Sequence, residues 1–163
     1  MTDFAALLRC LAEARIEYIL VGGAAATAHG SARLTLDLDI VYRRSDENVR
    51  RLVSALAPHK PYLRGAPPGL PFVWDVRTIQ RGLNFTLTTD LGAIDLLGEI
   101  VGGGRYEDLL PDCITITVFG AACPCLGLER LIQVKRAAGR PKDLEAVAEL
   151  EAILEERSAQ NSP

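Results

Sequence analysis

The sequence predicts one domain in which α-helices and β-strands are mixed. Apolar residues recur with helical spacing near both ends of the chain, and short apolar or alternating runs typical of strands lie between them. A chain of 163 residues with 48% hydrophobic and 24% charged residues suits a single globular core. We therefore expect one domain over residues 1–157, followed by a disordered polar tail over residues 158–163.

The first predicted elements follow from periodicity and small residues. Apolar residues at helical spacing predict a helix over residues 3–15, and Tyr18-Ile19-Leu20-Val21 then reads as a short buried strand. Small residues predict a second helix over residues 24–29, closed by Gly30. Strict alternation over residues 35–42 predicts the next strand.

In the middle of the chain, residues that typically begin helices or form turns indicate where the elements start and end. Ser45 is a good N-cap for a helix whose apolar stripe ends at Leu56. Residues 58–71 are rich in proline and glycine, so we expect a loop there. Residues 83–88 and 93–97 form a predicted hairpin around the turn that contains Gly92.

Two short strands and two helices are predicted for the last third of the chain. The predicted elements are strands over 114–118 and 121–126 and helices over 128–138 and 141–156. Gly139 suits the end of the first helix, and Pro141 suits the first position of the second. The glycine run 102–104 reads as a turn, because no strand-to-helix pattern frames it.

Composition argues against several classes of protein. The net charge of −3 provides no overall field that would attract nucleic acid, although five basic residues against two acidic ones lie between Glu129 and Asp143. No apolar run approaches the ~18 residues needed to span a bilayer. The N-terminus lacks a secretory signal pattern, so we expect a cytoplasmic protein. The four cysteines follow neither a disulfide nor a zinc pattern.

The strand at 35–42 carries the first chemically informative pattern. Because side chains alternate across a strand, Asp37 and Asp39 lie on one face with Thr35, roughly 6.5–7 Å apart along the strand. Two carboxylates at this separation could reach one divalent cation or a pair of cations. Aspartate is disfavoured in strands, yet an acidic pair on a solvent-facing strand needs no function, and both interpretations stay open.

Gly22 and Gly23 connect a strand to a helix, a place where backbone N–H groups can bind an anion such as phosphate. Gly-Gly is usually only a turn, but only thirteen residues separate Gly23 from Asp37, and the helix between them would return the chain to the same end of the sheet. Arg33 could contact a phosphate or merely flank the strand. His29 is expected to be a packing or capping histidine.

Two further charged residues lie in apolar surroundings. Asp95 is flanked by apolar residues, so its carboxylate needs either a metal ion or an arginine partner, for which Arg77 and Arg81 are available. Lys135 falls within the apolar stripe of the helix at 128–138. Its ammonium either extends past the helix end or faces a buried anion, with Arg140 and Lys142 following at the junction.

Together these residues resemble the nucleotidyltransferase superfamily that includes DNA polymerase beta, and within it the small bacterial members of the toxin–antitoxin and abortive-infection type. The superfamily motif appears as Val21-Gly22-Gly23, followed by Asp37-Leu38-Asp39 in a strand and by Asp95 on a later strand. Residues 131–143 also resemble the helix junction of the small bacterial members. The resemblance covers residues 18–154.

The resemblance implies an α+β fold, with a short mixed β-sheet packed on α-helices and helices at the C-terminus. It implies metal-dependent transfer of a nucleoside monophosphate from a nucleoside triphosphate to an acceptor, either RNA such as tRNA or a protein, with release of pyrophosphate. Asp37, Asp39 and Asp95 would be the catalytic residues and would hold Mg²⁺ or Mn²⁺. The implied nucleotide-binding residues are Gly22, Gly23, Arg33, Thr35 and Lys135.

One position departs from the family pattern, and two other classes of function stay open. Gly23 stands where many members have a serine hydroxyl that meets the triphosphate, so only the backbone N–H is offered there. A catalytically weak or inactive member could act as an antitoxin or partner-binding module. A plain structural domain would simply expose the acidic strand face to solvent.

Overall fold

The computed structural model describes residues 1–162, which form a mixed seven-stranded sheet with helices packed against it; Pro163, the last residue of the predicted tail, lies outside this range. The strands are β1 (Tyr18–Val21), β2 (Asp37–Tyr42), β3 (Tyr62–Leu63), β4 (Asn84–Thr89), β5 (Gly92–Leu97), β6 (Cys113–Val118) and β7 (Ala121–Leu126). The helices are α1 (Phe4–Glu13), α2 (Gly22–Ala28), α3 (Asp46–Leu56), α4 (Val76–Arg81), α5 (Tyr106–Leu109), α6 (Leu128–Ala138) and α7 (Pro141–Gln160).

The order of strands places β1, β2 and β5 in the middle of the sheet. The order is β3-β4-β5-β2-β1-β7-β6. β2 is antiparallel to β1 and parallel to β5, whereas β4–β5 and β6–β7 are antiparallel hairpins. Because β2 and β5 are parallel neighbours, side chains of the same register on these two strands lie next to each other on one face of the sheet.

In β2, the predicted alternation of side chains places apolar residues in the core and the aspartates on the opposite face of the sheet. Leu38 and Ile40 are fully buried, whereas Asp37 and Asp39 lie on the opposite face and are partly accessible. The same alternation on β5 buries Ile94 and Leu96 and places Asp95 on the face of the two other aspartates. Burial of the apolar half of each strand therefore fixes the direction of all three carboxylates.

Most predicted elements are present, with differences at their boundaries. α2 begins at Gly22 rather than at residue 24, and β2 begins at Asp37 because its pairing with β5 starts there. The predicted loop at 58–71 contains β3, only two residues long, which pairs with β4. α7 continues to Gln160, beyond the predicted helix end at residue 156.

α4 was absent from the sequence prediction. It has six residues and buries only Ile79, so no repeating apolar stripe marks it. Its beginning is fixed locally, because Asp75 accepts a hydrogen bond from the backbone N–H of Thr78 at 2.8 Å. Among the described residues, every helix is too short or too polar to cross a bilayer.

His29 holds the end of α2 against the C-terminal part of the fold. It is 2% exposed, with Nε2 2.8 Å from the carbonyl oxygen of Leu126, while Arg157 donates to Nδ1 at 3.2 Å. Nε2 therefore carries the proton and Nδ1 accepts, which is the neutral imidazole. This contact network ties β7 and α7 to the helix that follows the glycine pair, and the prediction of a packing or capping histidine is confirmed.

Burial, reinforced by Arg157, lowers the pKa of His29 despite the opposing hydrogen bond to Leu126. The unfolded chain takes up a proton near pH 6.5, whereas the folded chain does so only at lower pH, so His29 contributes stability above pH ~6.5 that is lost as the pH falls. We expect the unfolding free energy of the parent, minus that of His29→Gln, to decrease between pH 7 and pH 5 in urea titrations. A difference that stays constant over this range would contradict the assignment.

Candidate functional site

Three aspartates converge at the centre of the sheet face, and we call Asp37, Asp39 and Asp95 the acidic triad. Asp39 on β2 is directly paired with Asp95 on β5, and Asp37 lies two residues earlier on β2. One carboxylate oxygen from each residue lies within 4.8 Å of the others. The predicted convergence is confirmed, and the separation suits a site for one or two divalent cations.

The surroundings of the acidic triad raise the pKa of two of its carboxyl groups. Burial raises the pKa of Asp39 to about 8, and the neighbouring carboxylates of Asp95 and Asp37 add to the shift. Burial also raises the pKa of Asp95, although an arginine partner opposes it. Asp39 Oδ1 is buried and has no hydrogen-bond partner among the described residues. A buried carboxylate oxygen without a partner is costly, and a cation would satisfy it.

The donor set fits a hard divalent cation. Three carboxylates offer only oxygen ligands, which Mg²⁺ and Mn²⁺ prefer over nitrogen or sulfur. The unpartnered Oδ1 of Asp39 leaves at least one ligand position available. The residues therefore fit the Mg²⁺ or Mn²⁺ that the sequence resemblance implies, while binding itself stays a prediction.

The two glycines allow the start of α2 to approach the acidic triad. Gly22 has φ +65°, and a methyl group at this position would overlap the Asp39 carboxylate. A methyl group at Gly23 would come within 2.7 Å of the hydroxyl oxygen of Thr35. A serine side chain at position 23 would therefore have to displace the Thr35 hydroxyl, which now occupies that space.

A cavity of about 320 Å³ beside the acidic triad is lined by all the residues that the sequence resemblance implies to be nucleotide-binding. We call it the basic cavity, and its lining includes Gly22, Gly23, Arg33, Thr35, Lys135, Arg140 and Lys142 together with the acidic triad. Arg33 also forms an exposed ion pair with Glu145 at 3.2 Å, so its side chain has a partner within the protein. The role of these residues in nucleotide binding stays a prediction.

Lys135 enters this cavity from α6. The side chain is partly buried, and burial lowers the pKa of its ammonium, whereas Asp143 and Asp39 oppose the shift. Lys135 forms no ion pair with an acidic residue within 4.0 Å in the part of the chain that the structure describes. Asp143 instead pairs with Arg140 at 2.6 Å, across the junction that Gly139 and Pro141 form as predicted. An anion in the cavity would supply the missing partner.

A second cavity, of about 440 Å³, is also lined by Asp39 and Asp95. We call it the apolar cavity, because its wall is formed by Leu97, Ile100, Val101, Leu131, Val134 and Ala138. Glu99 and Asn84 also line it, and Lys135 and Arg140 are shared with the basic cavity. Asp39 and Asp95 thus line two neighbouring cavities of different chemistry.

Arg64 was missed by the sequence analysis. Its Nη2 lies 2.6 Å from Asp95 Oδ1, and its Nη1 lies 3.3 Å from Asp37 Oδ2. The arginine partner of Asp95 is therefore Arg64, rather than Arg77 or Arg81. Arg64 follows the two-residue strand β3 inside a segment expected to be a loop, where no periodicity indicates which way a side chain points.

Two solved structures share this architecture. One is a nucleotidyltransferase candidate from Thermotoga maritima, with a TM-score of 0.57 and 15% identity over 91% of this chain and 94% of its own. The other is the lincosamide antibiotic adenylyltransferase LnuA bound to lincomycin, with a TM-score of 0.61 and 15% identity over 93% of this chain and 96% of its own.

The chain has the nucleotidyltransferase fold. The α+β class implied by the sequence resemblance is thereby confirmed, including the mixed sheet and the C-terminal helices. No protein-family model and no curated protein sequence matches the chain. Within this fold, the acidic triad lies on the paired central strands β2 and β5.

The raised pKa of Asp39 links cation binding to pH. Near neutral pH Asp39 retains a proton that a coordinating carboxylate must lose, so Mg²⁺ binding should release a proton. We expect Mg²⁺ affinity to rise between pH 6 and 8, by up to about tenfold per pH unit, and to level off above pH ~8. Calorimetry in two buffers of different ionisation enthalpy measures the released proton. Binding without proton release, or Asp39→Asn behaving like the parent, would contradict this.

Proposed function

We propose that the protein is a metal-dependent nucleotidyltransferase that transfers a nucleoside monophosphate from a nucleoside triphosphate to an acceptor. The observation that carries the proposal is the acidic triad at the boundary between a basic and an apolar cavity. Such a boundary can hold the scissile phosphate between the groups that bind the triphosphate and those that bind the acceptor. The nucleotidyltransferase fold of the chain supports this proposal.

In this mechanism the residues of the basic cavity bind and orient the triphosphate. Lys135, Arg140 and Lys142 supply positive charge, and the backbone at Gly22 and Gly23 approaches closely because no side chain intervenes. The acidic triad holds Mg²⁺ or Mn²⁺, which when bound would neutralise charge on the triphosphate and activate the acceptor hydroxyl.

We assign Asp95 the role of acting on the acceptor, because it also lines the apolar cavity and burial raises the pKa of its carboxyl. It would accept the proton of the acceptor hydroxyl. The acceptor oxygen then forms a bond to the α-phosphorus, the bond from that phosphorus to the bridging oxygen breaks, and pyrophosphate leaves on the side of the basic cavity.

The lining of the apolar cavity favours a small acceptor with an apolar body over tRNA. RNA binding requires several cations to neutralise phosphates. The only basic residues that line this cavity, Lys135 and Arg140, are shared with the basic cavity, and Glu99 adds a negative charge. One structural neighbour is an antibiotic adenylyltransferase bound to lincomycin, which supports an acceptor of this size. A role in a toxin–antitoxin or abortive-infection system stays a prediction.

Asp39→Asn should abolish nucleotide transfer and leave the fold intact, because it removes the ligand charge while keeping the shape. The assay uses Mg²⁺, each α-labelled triphosphate and fractionated cell extract, with thermal melting alongside. Asp46→Asn is the matched control, since Asp46 is exposed on α3 and lines neither cavity. Full activity of Asp39→Asn would refute the proposed role of Asp39.

The labelled fraction also separates the competing functions. Label in low-molecular-weight material supports a small acceptor, whereas label in RNA or protein supports the acceptors implied by the sequence resemblance. Mg²⁺-dependent nucleotide binding with no labelled product indicates a partner-binding module. Absence of both binding and labelling indicates a structural domain.

Lys135→Met should weaken triphosphate binding markedly while leaving the melting temperature unchanged or raised. An apolar side chain of similar volume then replaces a partly buried ammonium that has no ion-pair partner in the empty cavity. Fluorescence titration with a labelled triphosphate measures affinity. Arg50→Met is the control, because Arg50 is an exposed helix residue outside both cavities. Unchanged affinity would remove Lys135 from the nucleotide site.

A further inference from the structure

Arg64 belongs to the same row of paired residues as the catalytic carboxylates. Its backbone N–H donates to the carbonyl of Thr86 at 3.0 Å, Thr86 is paired with Asp95, and Asp95 is paired with Asp39. Paired residues on neighbouring strands project to the same face. Arg64, which directly follows β3, is therefore the cationic residue of a row in which β5 and β2 contribute the carboxylates of Asp95 and Asp39.

The guanidinium binds two members of the acidic triad, Asp95 and Asp37, and does not contact the third, Asp39. Besides Asp95 and Asp37, its Nη2 also donates to the carbonyl of Leu87 at 2.8 Å, which fixes the side chain across β4. The side chain of Arg64 is 31% exposed and that of Asp95 is 18% exposed, so the pair is partly shielded from water. Asp39 Oδ1 has no partner within the described residues.

Charged carboxylates this close repel one another, and without a bound cation Arg64 is the counter-ion that directly contacts two of the three, Asp37 and Asp95. A divalent cation at the acidic triad would bind two of the carboxylates that the guanidinium contacts, those of Asp37 and Asp95, and its positive charge would repel that of Arg64. An ordinary surface ion pair would have neither property, because its partners would have no competing role.

We infer that Arg64 is an internal counter-ion of the metal site, which neutralises Asp37 and Asp95 in the absence of an ion and competes with the divalent cation for them. The inference rests on the proposed function only in assuming that the acidic triad binds a divalent cation. Arg64 acts as a positioning residue: it keeps the site folded when empty and lowers the affinity for the free cation.

The test measures Mn²⁺ binding by the full chain, using electron paramagnetic resonance of Mn²⁺ alone, together with melting curves. Arg64→Met should bind Mn²⁺ roughly tenfold more tightly or better, since removing a unit positive charge about 5 Å from a divalent cation matters this much even at the dielectric constant of water. Its metal-free melting temperature should fall, and Mn²⁺ should restore it. Arg81→Met is the control, because Arg81 is exposed and contacts none of the acidic triad.

Arg64→Lys provides a second variant that keeps the charge but cannot donate from a planar fork to two carboxylates. It should fold and bind Mn²⁺ with an affinity between those of the parent and Arg64→Met. Equal or weaker Mn²⁺ binding by both variants would overturn the inference and leave the proposed function standing. Absence of Asp39-dependent Mn²⁺ binding in every protein, parent included, would overturn both.

Discussion

The parallel pairing of β2 with β5 is the constraint on which the candidate site depends. It sets Asp39 beside Asp95 in one register and leaves the alternate residues of both strands in the core. Separating the carboxylates would therefore require breaking the central pairing or exposing Leu38 and Ile94, both fully buried. The hydrophobic core thus maintains an arrangement of like charges that their mutual repulsion would otherwise disperse.

The glycine pair allows α2 to begin close to the paired strands β2 and β5. β1 lies next to β2, with Val21 paired to Asp39, so the chain leaves the sheet at the level of the acidic triad. Gly22 has a left-handed backbone conformation and no side chain to collide with Asp39. The start of α2 can therefore lie against the carboxylates, and the basic cavity forms between α2 and the junction of α6 and α7.

The sequence predicted the parts of the site that obey short-range rules and missed the part that depends on a long-range contact. Alternation in β2 placed Asp37 and Asp39 on one face, and helical spacing placed Lys135 toward the interior, because both follow from local periodicity. Arg64 lies beyond a two-residue strand, and its direction is set by pairing with β4. Its partner Asp95 is 31 residues away, so local pattern carried no signal for the contact.

Under the proposed function, the distribution of positive charge around the acidic triad leads us to expect that the divalent cation binds together with the triphosphate. Arg64 already compensates part of the negative charge from the β4 side, whereas Lys135 and Lys142 lack ion-pair partners in the described structure and face the basic cavity. A free divalent cation meets the competition of Arg64 and gains nothing from the two lysines. A cation that arrives on a triphosphate adds contacts between the phosphates and the lysines, and these offset the loss of the guanidinium contacts. Under the proposed function, we therefore expect the empty site to bind a metal–nucleotide complex more tightly than the metal alone.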